Sequence, residues 1–368
     1  MKVCILTSQY FGWGKIGGFG SMSRKLAEAL AANGVETSVI VPRRPGQAPV
    51  ERLGGVTVHS FKPLSLREAV RLIDAVPADV FHSQDPTLLT ALAQRRRPDA
   101  RHLVTCRDPR DRHDWMTEFR DATWSRRIKI PLNWLLEASP IVRRAVRNAD
   151  GVYTPAYFLQ DKVRRMYKPK GEVGFLPNLI DVPETLPPKP DQPTFTFIGR
   201  LDRRKRPELF LELAERFADY HFIVVGKAES EERDQYLRGH YGRRDNVEWV
   251  GYVDRFKEPG RIDEILKRTW ALVNTASREG LPLTFLEAAG YACAIISHVN
   301  PDNFAERFGV HVADSDFQDA VMRLMSNADH RVALTEKARR YVLDRYDSGN
   351  ALAHHCDSYM KNSHAAHD

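Results

Sequence analysis

Two periodicities alternate along the 368-residue chain. Short apolar runs rich in β-branched residues predict strands at Lys2 to Thr7, Glu36 to Val41, Val56 to Phe61, Asp79 to Phe81, His102 to Thr105, Gly151 to Thr154 and Glu172 to Leu176. Stretches of helical spacing separate most of them. The best marked is Ser21 to Ala32, where Leu26, Ala27, Leu30 and Ala31 share one face and Asn33-Gly34 supplies a left-handed stop. This alternation predicts an α/β domain on a mainly parallel sheet.

After Asn178 five prolines fall within the thirteen residues DVPETLPPKPDQP, leaving no room for a helix or a central strand. The pattern then restarts. Strands are expected at Phe195 to Gly199, Phe222 to Gly226, Val247 to Gly251, Ala271 to Thr275, Ala294 to Ser297 and Val310 to Val312. Helices are expected near Pro207 to Phe217, Glu231 to Arg238, Leu283 to Tyr291, Asp316 to Met325 and His330 to Arg345, with another at Ser348 to Lys361. The expected division is a first α/β domain over 1–180, a linker over 181–193, a second α/β domain over 194–346 and a terminal helical segment over 347–368.

Length agrees, since 368 residues suit two domains of ordinary size. With 42% hydrophobic and 28% charged residues, composition excludes disorder, collagen and disulfide miniproteins. No run of about 18 uncharged apolar residues occurs, and the amino terminus reads as a strand, neither a signal peptide nor a span. Cys4, Cys106, Cys293 and Cys356 lack CxxC spacing, so no metal framework is expected, and reduced thiols suit a cytoplasmic protein. Charge is uneven. The first 180 residues hold 29 basic and 17 acidic residues, and the remainder 26 and 31. A basic half fits nucleic acid, an anionic membrane surface, a phosphorylated substrate or only solubility, but no nucleic-acid motif accompanies it.

Three clusters carry candidate chemistry. Between the first strand and helix lie Gly12, Gly14, Gly17, Gly18 and Gly20, and residues 12–17 match GxGxxG. The loop is too long for the tight dinucleotide turn, and Arg43-Arg44 stands where an acidic ribose partner belongs, so an NADP reading stays open. The other readings are a surface loop, or a backbone that approaches a ligand between the domains.

In the second domain Gly199-Arg200 follows a strand, and Lys205 precedes the helix at Pro207. Gly199 lets the backbone turn, and the two cations reach the carboxyl end of the strand, where they can neutralise a diphosphate. Arg203, Arg204 and Arg206 fit a solvated basic turn better. The third cluster is Glu279-Gly280, then a helix start near Pro282, whose amides at Leu283 and Thr284 form an anion site. Glu287 follows one turn later, placed to accept a ribose diol.

Together the glycine loop, Gly199-Arg200 with Lys205, and Glu279-x7-Glu287 followed by Ala288-Ala289-Gly290 resemble the family 4 retaining glycosyltransferases of the GT-B fold. The resemblance implies two Rossmann-like α/β domains facing each other across a cleft, the second holding a nucleotide sugar, the first an acceptor, with the terminal helix crossing back. By position it assigns Arg200 and Lys205 to the donor diphosphate, Glu287 to the ribose and Glu279 to the transferred sugar. Gly17 and Gly18 would approach the phosphates, and Tyr252 lies in a base-side loop. A metal and a cofactor are not needed, because cations and a helix terminus stabilise the leaving diphosphate. The implied activity moves a hexose or N-acetylhexosamine from a UDP-sugar or GDP-mannose to a glycan, lipid-linked or small-molecule acceptor. A related sugar-nucleotide epimerase and an NADP-dependent oxidoreductase are the alternatives.

Two positions depart from the family pattern. His-x-His is reduced to His82-Ser83-Gln84, and Arg107 stands where the family commonly presents histidine to the sugar. His82 reads equally as a buried hydrogen-bonding residue or a ligand contact. Finally, Trp115 to Trp134 interleaves three tryptophans with Arg120, Arg126, Arg127 and Lys129. This reads as an interfacial patch on an anionic membrane, peripheral at the inner face of the cell membrane, or as core-completing helix.

Overall fold

The computed structural model describes residues 1–13, 17–122, 127–242, 244–313 and 316–360. The chain divides into two compact units. Met1–Met116, Trp124–Leu179 and Ser348–Asp368 form the first, and Thr117–Thr123 with Ile180–Asp347 the second.

Among the described residues the first unit carries strands β1 (Lys2–Leu6), β2 (Glu36–Pro42), β3 (Val50–Leu53), β4 (Val56–Phe61), β5 (Val80–Ser83), β6 (Arg101–Thr105), β7 (Gly151–Thr154) and β8 (Val173–Phe175). Their order is β3-β4-β2-β1-β5-β6-β7-β8, and only β3 runs antiparallel to its neighbour. β1 at the centre is apolar on both faces, as a strand covered by helices on each side must be. β3 escapes the hydrophobic pattern because it is an exposed edge with Glu51 and Arg52 at its middle. The local signal for it is Gly54-Gly55, both at positive φ, which closes the β3–β4 hairpin. The first helix spans Gly18–Ala32, three residues longer than its apolar face predicts, and buries Leu26, Ala27 and Leu30.

The second unit is a six-stranded parallel sheet of β9 (Thr194–Ile198), β10 (His221–Val225), β11 (Val247–Gly251), β12 (Ala271–Asn274), β13 (Ala294–Ser297) and β14 (Gly309–His311). The order is β11-β10-β9-β12-β13-β14. Phe195, Phe197, Phe210 and Phe222 anchor its core, with Phe210 edge-on to Phe222 at 5.5 Å. Every strand points the same way, so the loops after β9, β11 and β12 share one edge, where open α/β sheets bind ligands.

The terminal helix Ser348–Met360 belongs to the first unit. Arg101 donates to the carbonyls of Ser358 and Tyr359 at 3.2 and 2.8 Å, and the His355 ring meets the Pro177 carbonyl at 3.1 Å. Among the described residues no helix is long and apolar enough to cross a membrane.

Candidate functional site

The loop after β9 is held across the end of β10. Gly199 donates its amide to the Val225 carbonyl at 2.9 Å, and Leu201 to that of Lys227 at 3.0 Å. Between them Gly226 sits at φ +157°, and a Cβ there would lie 1.8 Å from the Gly199 carbonyl oxygen. Glycine is therefore required at 226. Gly199 itself would place a Cβ 3.6 Å from Phe197 and 3.7 Å from Lys205, ordinary contact distances. The backbone freedom expected of Gly199 thus resides at Gly226.

Beyond Gly199, buried Asp202 accepts the Lys205 amide at 3.1 Å and pairs with the Arg200 guanidinium at 3.0 Å. The Thr275 hydroxyl donates to the Lys205 carbonyl at 2.6 Å, Arg206 Nε to the Thr275 carbonyl at 2.6 Å, and Ser277 N to the Arg204 carbonyl at 2.9 Å. The loops after β9 and β12 are stitched into one wall. Arg206, expected in a solvated turn, is instead part of that stitching, in the left-handed conformation just before the helix Pro207–Arg216. Arg204 and buried Arg278 both pair with Glu118.

Lys205 Nζ donates to Glu279 Oε1, with both side chains mostly buried. Burial alone would raise the Glu279 carboxyl, but Lys205, aided by Arg204, outweighs it and holds the group below the usual carboxylate range. After Gly280 comes the helix Leu283–Gly290, entered through Pro282 with no side chain capping its first turn. The amides of Leu283 and Thr284 are left for an anion. One turn on, Glu287 takes the Arg255 guanidinium on both oxygens, Nη2 to Oε2 measuring 2.8 Å. Arg255 comes from the loop after β11, which also carries half-buried Tyr252.

The structure thus brings Gly199, Arg200, Lys205, Tyr252, Glu279, Gly280, Leu283, Thr284 and Glu287 to one edge of the second sheet. Sequence reasoning missed Asp202, Gly226, Arg255, Thr275 and Arg278. Gly226, ending an apolar strand, and Asp202, within three residues of Arg200 and Lys205, lay within local reach; Arg255, Thr275 and Arg278 act across sequence distances that no motif spans.

In the first unit Gly17, in extended backbone, immediately precedes the helix that Gly18 begins. Gly20 packs against Gln9, where a Cβ would stand 3.4 Å from the Gln9 Cβ. Gly14, also in that cluster, lies outside the described residues. His82, one of the catalytic candidates and read equally as a buried hydrogen-bonding residue, is fully buried on β5 with both ring nitrogens engaged. Its Nε2 meets the Thr105 hydroxyl at 2.7 Å, and its Nδ1 meets the Tyr359 hydroxyl at 2.8 Å and Gln84 Nε2 at 3.2 Å.

Arg107 fixes the tautomer. It donates Nε to Gln84 Oε1 at 3.1 Å, which turns the Gln84 amide nitrogen toward His82, so Nδ1 accepts and Nε2–H donates. Arg107 Nη2 donates to the same Gln84 oxygen at 2.5 Å, and Nη1 donates to Asn178 Oδ1 at 2.5 Å. Burial lowers the Arg107 guanidinium to about 10, still charged at neutral pH. Arg107 is half-buried at the end of β6, where it organises Gln84, Asn178 and, through Gln84, His82.

The tryptophan-rich segment divides. Trp115 is buried beneath the Arg110 guanidinium, 4.1 Å from its ring, and completes the core. Trp124 and Arg126 lie outside the described residues. The helix Ile130–Glu137 buries nothing: Leu132, Trp134 and Leu135 are 59%, 40% and 62% exposed.

Residues 181–341 match the model of the glycosyl transferases group 1, and residues 16–184 match that of glycosyltransferase family 4. Among curated proteins, a lipopolysaccharide 1,6-galactosyltransferase of Salmonella typhimurium is 29% identical over 116 residues, covering 30% of this chain and 32% of that one. The O-antigen biosynthesis glycosyltransferase WbnH of Escherichia coli is 29% identical over 118 residues, with the same coverages. The chain therefore spans about a third of the length of the curated relatives it matches. Among solved structures, sucrose-phosphate synthase from Thermosynechococcus elongatus superposes with a TM-score of 0.74 at 17% identity, covering 98% of both chains. WaaG, a glycosyltransferase involved in lipopolysaccharide biosynthesis, gives 0.70 at 15%, covering 98% of this chain and 100% of that one. Anabaena HepE in complex with UDP-glucose gives 0.68 at 13%, covering 97% and 99%. Nothing in these matches favours the NADP or epimerase readings. The two family models together run from residue 16 to residue 341, both units have the parallel sheets of the GT-B fold, and the chain belongs to glycosyltransferase family 4.

Proposed function

We propose that the chain is a retaining glycosyltransferase that moves a hexose or N-acetylhexosamine from a nucleotide sugar to a glycan, lipid-linked or small-molecule acceptor. The observation that carries this reading is the convergence of Arg200, Lys205 and the uncapped helix start at Leu283–Thr284 on one sheet edge, with Glu287 one turn deeper. Two cations and free amides suit a diphosphate, and a carboxylate beyond them suits a ribose. A UDP-sugar is the preferred donor, GDP-mannose the next; that HepE was solved with UDP-glucose supports the order. The names of the lipopolysaccharide and O-antigen relatives support a glycan acceptor.

In this reading the bond between the anomeric carbon and the diphosphate oxygen breaks while the acceptor oxygen bonds the same face, and its proton passes to the departing phosphate. Arg200, Lys205 and the Leu283 and Thr284 amides stabilise the charge that develops there. Glu279 receives sugar hydroxyls and positions Lys205, Gly280 keeps that loop close, Tyr252 lies on the base side, and Gly17 and Gly18 approach the phosphates. Arg107, with the Gln84 and His82 network behind it, shapes the acceptor side. The charge compensation is supplied by side chains and amides, so neither metal nor cofactor enters this reading. The exposed helix Ile130–Glu137 and the basic first half support a peripheral position on the cytoplasmic face of an anionic membrane.

Thermal melts with UDP, GDP, ADP and NADPH test the donor site. Ligand at 100 times its dissociation constant stabilises by about 2.7 kcal/mol. Stabilisation by UDP or GDP is expected, and stabilisation by NADPH alone overturns the reading.

A further inference from the structure

Outside the donor edge, the first unit holds a cavity of about 290 Å³ between the loop at Arg110–Arg112, the exposed helix Ile130–Glu137 and the helices Pro140–Arg147 and Phe158–Tyr167. Five cations line it against two carboxylates, Asp111 and Glu137. Two of the five are committed to ion pairs within the fold. Lys162 is bound to Asp114 at 2.6 Å and lies 3.7 Å from Asp111, and Arg110 pairs with Glu137. Arg112, Arg143 and Arg165 differ: all are exposed, and none is paired with a carboxylate among the described residues. They arrive from three separate helices, so no helical repeat brings them together by accident of spacing.

We propose that this cavity binds a phosphate attached to a small polar body, a sugar phosphate or a phospholipid headgroup, with Arg112, Arg143 and Arg165 as its anion ligands. Guanidinium forks match phosphate oxygens in pairs, and three of them can neutralise a dianion. The volume lies at the lower end for small-molecule sites, suiting one sugar phosphate and excluding a whole nucleotide sugar. Trp134 and Tyr167 give an aromatic wall for the apolar face of a sugar ring or glycerol. Glu137 does not oppose an anion strongly: burial pushes its carboxyl up to about 7 in spite of Arg110, so near neutral pH much of it is protonated. The proposal deepens the acceptor side of the glycosyltransferase reading, giving that acceptor a phosphate.

The full chain is titrated by calorimetry with glucose 6-phosphate, glucose and inorganic phosphate, and is floated with vesicles of phosphatidylglycerol or phosphatidylcholine. Arg143→Gln/Arg165→Gln and Arg112→Gln are compared with wild type; all three side chains are exposed, so folding is preserved, and an unchanged melting shift with UDP checks it. Glucose 6-phosphate is expected to bind where glucose does not, with at least a tenfold loss in the double variant. Binding to phosphatidylglycerol alone, lost in the same variant, identifies the headgroup as source. Failure of every phosphate probe, or binding that the variants leave unchanged, overturns the proposal. Absence of a UDP shift in wild type counts against the donor reading and leaves the cavity result standing.

Discussion

Lys205 donates to Glu279 across the two loops that wall the carboxyl edge of the second sheet. The pair joins a cation expected on the donor diphosphate to a carboxylate expected on the transferred sugar. Each restrains the other, and the proposed function assigns both to the donor. Lys205→Ala is therefore expected to lower kcat by ~10²–10³, the usual cost of removing one charge-stabilising donor. Glu279→Ala is expected to lower kcat by about 100-fold while changing the UDP dissociation constant by less than about threefold, because its contacts strengthen on the path to the transition state. Steady-state transfer and calorimetry read the two quantities. Equal losses in both would mean that Glu279 holds nucleotide and not sugar. EDTA is expected to leave wild-type transfer unchanged.

Arg255 occupies both oxygens of Glu287, the oxygens a ribose diol would use. Ribose binding then requires the guanidinium to yield, and the affinity of the nucleotide is reduced by that competition. Arg255→Ala is expected to tighten UDP binding by about threefold. Unchanged or weaker binding by calorimetry would show that Arg255 orients Glu287 for the ribose instead of blocking it.

Two glycines at the donor edge differ in what they must be. An alanine at 226 would drive its Cβ into the Gly199 carbonyl, whereas one at 199 meets only ordinary contacts. Gly226→Ala is expected to cost ~2–3 kcal/mol or to displace the Arg200 loop, and Gly199→Ala less than about 1 kcal/mol. Urea midpoints and UDP affinity compare them. Equal effects would return the structural demand to Gly199.

That contrast shows how far the sequence is legible. The strands read from apolar runs match the observed ones to within one or two residues, because a parallel sheet covered on both faces demands unbroken apolar runs such as Val3 to Leu6. The edge strand Val50–Leu53 went unseen because it has one solvated face and carries Glu51 and Arg52. At the site, residues that sit in a strand–loop–helix sequence were found, as with Arg200, Lys205 and Glu279. Arg255 was not, since 32 residues separate it from Glu287 and their strands, β11 and β12, are not adjacent in the sheet, so only the course of the loop after β11 brings them together. His82 stayed open between two readings, because one of its partners in the buried network, Tyr359, lies 277 residues away.

The His82 network makes the first unit acid-sensitive. Burial holds His355 down to about 3 and His82 well below its ordinary value, so both rings are neutral in the fold. The unfolded chain takes up protons near pH 6.5, and the folded chain does not until far lower. Stability is therefore fully present above that value and is lost as pH falls toward about 3. For His355 the loss at pH 5 is about 2 kcal/mol relative to neutral pH. His355→Gln keeps a donor for the Pro177 carbonyl and removes the titration. Urea midpoints of wild type and variant are expected to converge as pH falls from 7.5 to 5. A difference that stays constant across this range rules out His355 as the titrating group.

Leu132 and Leu135 stand 59% and 62% exposed on a helix that buries none of its residues, with Lys129 exposed beside them. Burying a leucine side chain is worth ~1.5–3 kcal/mol, and each basic residue near an anionic surface adds about 1 kcal/mol. If the helix dips between headgroups, Leu132→Asp/Leu135→Asp removes at least ~3 kcal/mol, or about 100-fold in vesicle affinity. Wild type is expected to float with phosphatidylglycerol vesicles at low salt, less so at 0.5 M salt on the order of a 4 Å Debye length, and the variant not at all. Because the arginines of the neighbouring cavity are untouched, the variant should still bind glucose 6-phosphate if wild type does. Equal flotation with anionic and neutral vesicles at low salt would remove the membrane reading and leave the leucines to another partner.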